Sequence, residues 1–366
     1  MSNLIRIGDI CEILNGYAFK SSKYVGEGIR VIRITNVQKG FIEDADPQYY
    51  PVSEQEEIEK YMLYEGDLLM SLTGNVGRVA LLGADMLPAA LNQRVACLRI
   101  KEQAIIHKPF LFHLLNSDFF ESQCIFASKG IAQKNMSTEW LKEYQIPLFS
   151  MEKQVEIAAI FDKIDAIIAR RKEQAQSLEQ AVKSRFIELF GDPMTNPKGF
   201  PCYTVGEVID FQGGSQPDKK YFEYEPTPDN IRLIQIRDYK SDKYLTYIPR
   251  AMAKRFCTAD DIMIGRYGPP IFQILKGIEG SFNVALMKAT PKMGNREFVR
   301  QFLKQDCLLE YLEGLSKRTA GQDGIQMDKL KAYPFPYPPI ELQEQFATFV
   351  EQTDKSKLCG KMEVAA

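Results

Sequence analysis

Between Met151 and Phe190 apolar residues recur at steps of three and four: Ile157, Ile160, Phe161, Ile164, Ile167, Ile168, Ala175, Leu178, Val182, Phe186 and Leu189. Lys163, Asp165, Arg170, Lys172, Glu173, Glu179 and Lys183 fill the other positions, and no Gly or Pro intervenes before Gly191. The spacing predicts one amphipathic helix, roughly 60 Å long at 1.5 Å per residue, with Ser150 as its N-cap. Core helices average about three turns, so a helix of this length with a narrow apolar stripe calls for a partner helix. A second run beginning near Ile340 and carrying Phe346, Phe349 and Val350 is the predicted partner, in an antiparallel pair. Gly360 and the fading periodicity around it place the end of that second helix near Leu358, well short of the first.

Elsewhere the pattern has period two. Ile29-Arg30-Val31-Ile32-Arg33-Ile34 alternates as a half-buried strand should, and Ile231-Arg232-Leu233-Ile234-Gln235-Ile236 answers it. That echo is one of several in fixed order. Gly8-Asp9-Ile10 returns as Gly206-Glu207-Val208, and Gly66-Asp67-Leu68-Leu69-Met70 as Asp260-Asp261-Ile262-Met263-Ile264. Leu91-Asn92 returns as Phe282-Asn283, and Phe110-Leu111 as Phe298-Val299. The series closes with Leu141-x4-Ile146-Pro147-x4-Glu152-x-Gln154, repeated as Leu330-x4-Phe335-Pro336-x4-Glu341-x-Gln343. The chain therefore reads domain, helix, domain, helix, with boundaries at 1–148, 149–192, 193–338 and 339–366. The expected fold class is α+β: two similar α/β domains separated by long helices that pair as an antiparallel coiled coil.

Composition removes several function classes. No apolar run reaches the roughly 18 residues needed to span a bilayer, and the N-terminus lacks a secretory signal. Seven scattered cysteines without a C-x-x-C pair argue against zinc and for reduced thiols in a cytoplasmic protein. His107 and His113 are the only histidines, six apart, which is not the spacing of a helical metal pair. No phosphate-binding G-x-x-x-x-G-K-[ST] loop is present, and Tyr267-Gly268-Pro269-Pro270 only echoes the Asn/Asp-Pro-Pro-aromatic motif of an amino-methyltransferase. No catalytic set, metal site or cofactor is therefore expected. The net charge is -2, with 15 Lys+Arg against 18 Asp+Glu in Met1–Leu148 and 21 against 17 in Asn196–Pro338.

The ordered duplication resembles the specificity subunits of type I restriction-modification systems over essentially the whole chain. The resemblance rests on Gly8-Asp9-Ile10 and Gly206-Glu207-Val208, the Gly66-Asp67-Leu68-Leu69 strand, and the paired asparagines. It extends to the loops Ser128-Lys129-x-x-Ala132 and Ser316-Lys317-x-x-Ala320 and the doubled Pro-x4-Glu-x-Gln entry into a helix. It implies two target-recognition domains, each reading one half of a bipartite site in double-stranded DNA, with the helices setting the gap. It also implies docking of methyltransferase subunits, two in number, and of a motor-nuclease subunit, so that catalysis, methyl donor and ATP belong to the partners. The short second helix departs from that pattern and bears on the second docking surface.

Base readout needs Arg, Lys, Asn or Gln on elements that enter a groove. In the first half the candidates are Lys20, Arg33, Asn36, Thr73, Asn75, Arg78, Lys129, Gln133, Lys134 and Asn135. In the second they are Gln216, Arg237, Lys240, Arg266, Tyr267, Lys317, Arg318 and Gln322. The two Ser-Lys loops share a framework and diverge at their tips, as two readers of different half-sites would require. Gly, Ser, Asn and Lys also favour ordinary surface turns. Partner contacts are expected on the helical stripe: Ile157, Ile160, Phe161, Ile164, Ile168, Leu178, Val182 and Phe186, with Phe346, Phe349 and Val350. A tandem scaffold that binds no DNA is the competing reading, and the mild acidity of the chain suits it.

Overall fold

A computed structural model describes residues 3–101, 105–128, 136–267, 271–316 and 325–365. The chain divides into two compact units, Met1–Ala169 and Arg170–Ala366. In the first, strands Cys11–Asn15, Val95–Ile100, Leu68–Ser71 and Val79–Leu81 lie side by side in that order, all antiparallel. A second sheet runs Tyr49–Tyr50, Ile29–Ile32, Ala89–Leu91, Met62–Leu63, its central two strands parallel. The second unit repeats both. Its first sheet is Ile209–Gly213, Leu286–Pro291, Ile262–Gly265 and Gln273–Lys276. Its second is Tyr247–Pro249, Asn230–Ile234, Gly280–Phe282 and Phe256–Cys257, again with a parallel central pair. The sequence repeat is thus a repeat of topology.

Each unit closes by joining the two ends of its motif series. Asn3–Arg6 pairs antiparallel with Gln145–Leu148, and Cys202–Thr204 with Pro334–Pro336. Pro147 and Pro336 sit in these two-stranded pairs, where a strand can spare an amide donor. Ile146 and Phe335, just before them, are fully buried. The opening glycines explain themselves here: a Cβ on Gly8 would lie 3.0 Å from the Lys142 carbonyl, and one on Gly206 3.1 Å from Lys331 Cβ. Lys101 Nζ donates to the Gly8 carbonyl at 2.7 Å, and Lys292 Nζ to that of Gly206 at 2.6 Å.

The central helix spans Met151–Phe190 without a break. Ser150 Oγ accepts from Lys153 N at 3.4 Å, the expected cap. Its first turns belong to the first unit. Ala158 and Ile157 pack into the core of Ile7, Leu68, Phe110, Phe120 and Ile146, and buried His113 faces Asp162 at 2.7 Å and stacks on Phe161. Its last turns belong to the second unit. There Val182, Phe186 and Phe190 join Phe298, Phe346 and Val350 in one cluster, with Phe346 5.6 Å from Phe186 and 5.4 Å from Phe190 between ring centroids.

In the second unit Val182–Phe190 and Phe346–Val350 pack together inside the domain core, while Ile160, Phe161, Ile164, Ile167 and Ile168 are 39–50% exposed. One expectation changes: the C-terminal helix runs Ile340–Ala365, beyond the expected end near Leu358. A glycine within a helix costs only about 1 kcal/mol, and Lys361, Met362, Glu363 and Ala365 around it are acceptable helix formers with no proline among them. At 26 residues against 40 it is still the shorter of the two.

The doubled Glu-x-Gln motif has a structural reason. Gln154 is wholly buried; its Nε2 donates to the carbonyls of Phe149 (2.9 Å) and Ile105 (3.0 Å), and its Oε1 accepts from His107 N (2.8 Å). Gln343, also wholly buried, donates to the Pro338 carbonyl at 2.8 Å and accepts from Asn295 N at 2.8 Å. Each amide ties the first turn of a long helix to the loop entering the helix Lys108–Leu115 or Arg296–Leu303. Leucine in its place would strand two or three buried backbone groups, at about 1–3 kcal/mol each. Gln154→Leu and Gln343→Leu are therefore each expected to lower unfolding free energy by about 3 kcal/mol in urea titrations. A change within about 0.5 kcal/mol, the size of an ordinary surface substitution, would contradict the clamp.

Candidate nucleic-acid interface

One turn organises the loop end of each domain. In the first unit Asn92 N donates to the Ile32 carbonyl (3.2 Å), Gln93 N to Tyr17 (2.9 Å), and Leu72 N to Arg94 (3.0 Å). Those bonds gather the loops after Cys11–Asn15, Ile29–Ile32 and Leu68–Ser71 around Asn92–Arg94. Met136 N donates to the Leu72 carbonyl at 2.8 Å, which brings Met136 to the same junction. In the second unit Asn283–Ala285 does the same work: Asn283 N donates to Ile234 (3.0 Å), Ser215 N to Phe282 (3.1 Å) and Arg266 N to Ala285 (2.9 Å). Loops remote in sequence thus become neighbours because the strands that carry them end at one side of the sheets.

Backbone approach at this junction demands glycine. A Cβ on Gly16 would overlap the Asn92 carbonyl, and one on Gly214 the Asn283 carbonyl.

The candidates divide by what their side chains already hold. Lys20, Lys240 and Arg266 form no salt bridge among the described residues; Lys20 and Lys240 are exposed, and Arg266 is half-buried with its guanidinium 5.3 Å from the exposed Tyr267 ring. Gln216 and Asn75 are also exposed. Thr73 is half-buried beside Asn75. Arg237 is exposed, with Nη2 donating to Thr246 Oγ1 at 3.0 Å. Arg33 is tied to Asp46 at 3.1 Å, and Arg78 to Gln38. Asn36 is buried, its Oδ1 accepting from Arg33 N (2.9 Å) and its Nδ2 donating to the Glu43 carbonyl (2.8 Å). It holds the turn, as Asp238 does in the second unit by accepting from Gln235 N at 3.2 Å. Burial pushes the Asp238 carboxyl above the ordinary aspartate range. Lys129, Gln133, Lys134, Asn135, Lys317, Arg318 and Gln322 lie outside the described residues. Tyr17 packs edge-on against Phe19 at 5.0 Å.

Gln93 and Arg94, absent from the sequence-based candidates, are both exposed on the organising turn. Their signal is the Leu91-Asn92/Phe282-Asn283 match, which marks a framework position whose following residues differ between the copies. Among the described residues no group of histidine, cysteine and acidic side chains could hold a metal. The Cys11 thiol is pushed up to about 12 by burial, which leaves it protonated and unreactive at neutral pH.

Two copies of one mixed α/β domain, each clamped to a long helix and each ending in the same loop junction with different side chains, define a tandem-module protein. The chain matches the family described as the type I restriction modification DNA specificity domain over residues 2–180 and 197–360, and it belongs to that family. It is 27% identical over 184 residues to the MjaVIII specificity subunit of Methanocaldococcus jannaschii, covering 49% of this chain and 43% of that protein. It is 33% identical over 168 residues to the EcoAI specificity subunit of Escherichia coli, covering 44% of this chain and 28% of that one. The alignments thus span less than half of those two relatives. The putative MjaX specificity subunit, also from M. jannaschii, aligns over 381 residues at 28% identity, covering 94% of this chain and 85% of the relative. The crystal structure of a type I restriction-modification S subunit from M. genitalium shares the fold, with TM-score 0.54 at 16% identity over 100% of this chain and 92% of that one.

Gly16→Ala and Gly214→Ala are expected to lower stability by about 1–3 kcal/mol, because a fixed carbonyl must move for the methyl to fit. Thermal melts of the two variants check this, and an unchanged midpoint would show that the junction is loose.

Proposed function

We propose that this chain is the sequence-reading subunit of a type I restriction-modification complex and does no chemistry itself. Each domain reads one half of a bipartite target in double-stranded DNA, and the helices set the gap between halves. Methyltransferase subunits, two per chain, dock on the helices; they and a motor-nuclease subunit carry out methylation and cleavage, in the cytoplasm. The single supporting observation is the duplicated loop junction: one framework, presented twice, with different outward side chains. Sequence readers need this combination, since backbone contacts fix register while base-edge contacts must differ between half-sites.

The net charge of -2 is low for a protein that binds DNA unaided. Part of the phosphate neutralisation therefore falls to the partners. Footprinting the full chain on a duplex carrying its target, with and without methyltransferase subunits, tests the reading. Two protected patches separated by a fixed gap are expected, with affinity falling steeply as salt rises. A salt-insensitive complex without sequence preference would favour the tandem scaffold instead.

The stripe Ile160, Phe161, Ile164, Ile167 and Ile168 suits partner docking, since exposed apolar side chains gathered on one helical face mark interaction surfaces. Ile164→Asp is expected to abolish co-purification of methyltransferase subunits while changing unfolding free energy by less than about 1 kcal/mol. Undiminished co-purification would place the docking surface elsewhere.

A further inference from the structure

We propose that Arg94 and Arg266 are equivalent specificity-determining contacts, one for each half-site, delivered from opposite strands of the same loop junction. The inference rests on the DNA-reading function above and names residues within it.

The equivalence follows from hydrogen bonds that match one for one. Val95 N donates to the Asn92 carbonyl at 2.9 Å, and Leu286 N to that of Asn283 at 3.0 Å. Arg94 N donates to Asn92 Oδ1 at 3.3 Å, and Ala285 N to Asn283 Oδ1 at 3.1 Å. Across the junction Leu72 N donates to the Arg94 carbonyl, and Arg266 N to the Ala285 carbonyl. Arg94 therefore occupies the place of Ala285, and Leu72 the place of Arg266. Each domain has one arginine and one apolar residue on this bonded pair, in opposite order. Simple drift of a surface charge gives no reason for the junction to keep one guanidinium while exchanging the strand that supplies it. A requirement for a guanidinium at this point does.

Both groups are available. Arg94 is exposed, and its guanidinium has no hydrogen-bond or ion-pair partner among the described residues. Among the described residues, Arg266 meets the Val284 carbonyl at 3.5 Å and the Tyr267 ring. By contrast Arg33 is neutralised by Asp46 and Arg99 by Asp67. A guanidinium is a planar fork that can bond guanine O6 and N7 together, which an ammonium cannot imitate. The neighbouring side chains differ as well, Gln93 in one domain and Val284 in the other, both exposed. An amide suits adenine and an apolar group the thymine methyl, so the two junctions would prefer different bases beside the arginine.

The test exposes the full chain, assembled with its methyltransferase subunits, to a pool of fully randomised duplexes and sequences the bound fraction. Wild type is expected to select a two-part motif. Arg94→Ala should flatten one part only and weaken binding to the selected site about 10-fold or more. Arg266→Ala should flatten only the other part. Arg94→Lys should recover affinity for unselected duplex without recovering the base preference. Adding Ala285→Arg to Arg266→Ala moves the guanidinium to the place it holds in the first domain, and should return a preference to the flattened part. A wild-type motif that survives both alanine variants, flattening of both parts together, full recovery by lysine, or no recovery by Ala285→Arg would each overturn the assignment alone. Failure of the wild type to select any motif would instead overturn the DNA-reading function, and this inference with it.

Discussion

A buried glutamine amide at the entrance to each long helix is the contact on which the arrangement depends. Gln154 and Gln343 have no access to water, and each bonds backbone groups on both sides of the joint between helix and domain. Without the amide those groups would be buried and unpaired, so helix and domain cannot part without a large penalty. A helix that is merely tethered would let its domain swivel. A helix whose first turn is bonded into the domain is held at that joint. The core contacts of Ile157 and Ala158 in one unit, and of Phe346 and Val350 in the other, fix the same joint by packing.

The central helix serves each unit by a different stretch. Met151–Ala158 supplies core to the first and Val182–Phe190 to the second, while Ile160–Ile168 keeps an exposed apolar stripe. At the other end of each domain, conserved geometry and divergent chemistry meet on the turns Asn92–Arg94 and Asn283–Ala285. The asparagines and glycines there hold the backbone, and the residues beside them are free to differ. Here, too, Asn36 and Asp238 serve as equivalent turn caps despite their different charge.

How much of this was legible in the sequence depended on whether the determining contact is local. The helix Met151–Phe190 was fully readable, because its cap, its 3.6-residue period and its freedom from Gly and Pro all lie within the segment. The repeat is legible because the same motifs recur in the same order along the chain, although the strands they form are not neighbours in that order. The C-terminal helix runs past the end that its fading periodicity predicts, because a lone glycine among helix formers costs little. Asn36 looked like a base reader because its type suits that role; its burial depends on the segment around Glu43. The role of Arg94 is not legible in the sequence, because its place opposite Leu72 arises only when residues 22 apart come together. Gln154 was recognised as a motif residue, but its reason lies in carbonyls contributed by Ile105 and Phe149.

The central claim, that helices clamped to their domains set the distance between two readers, is tested most directly by lengthening the helix between the clamps. Inserting two helical turns of alanine-rich sequence within 170–179, followed by selection of the preferred target, should change the permitted gap and leave both half-sites as they were. An unchanged gap, or altered half-sites with the gap preserved, would contradict it.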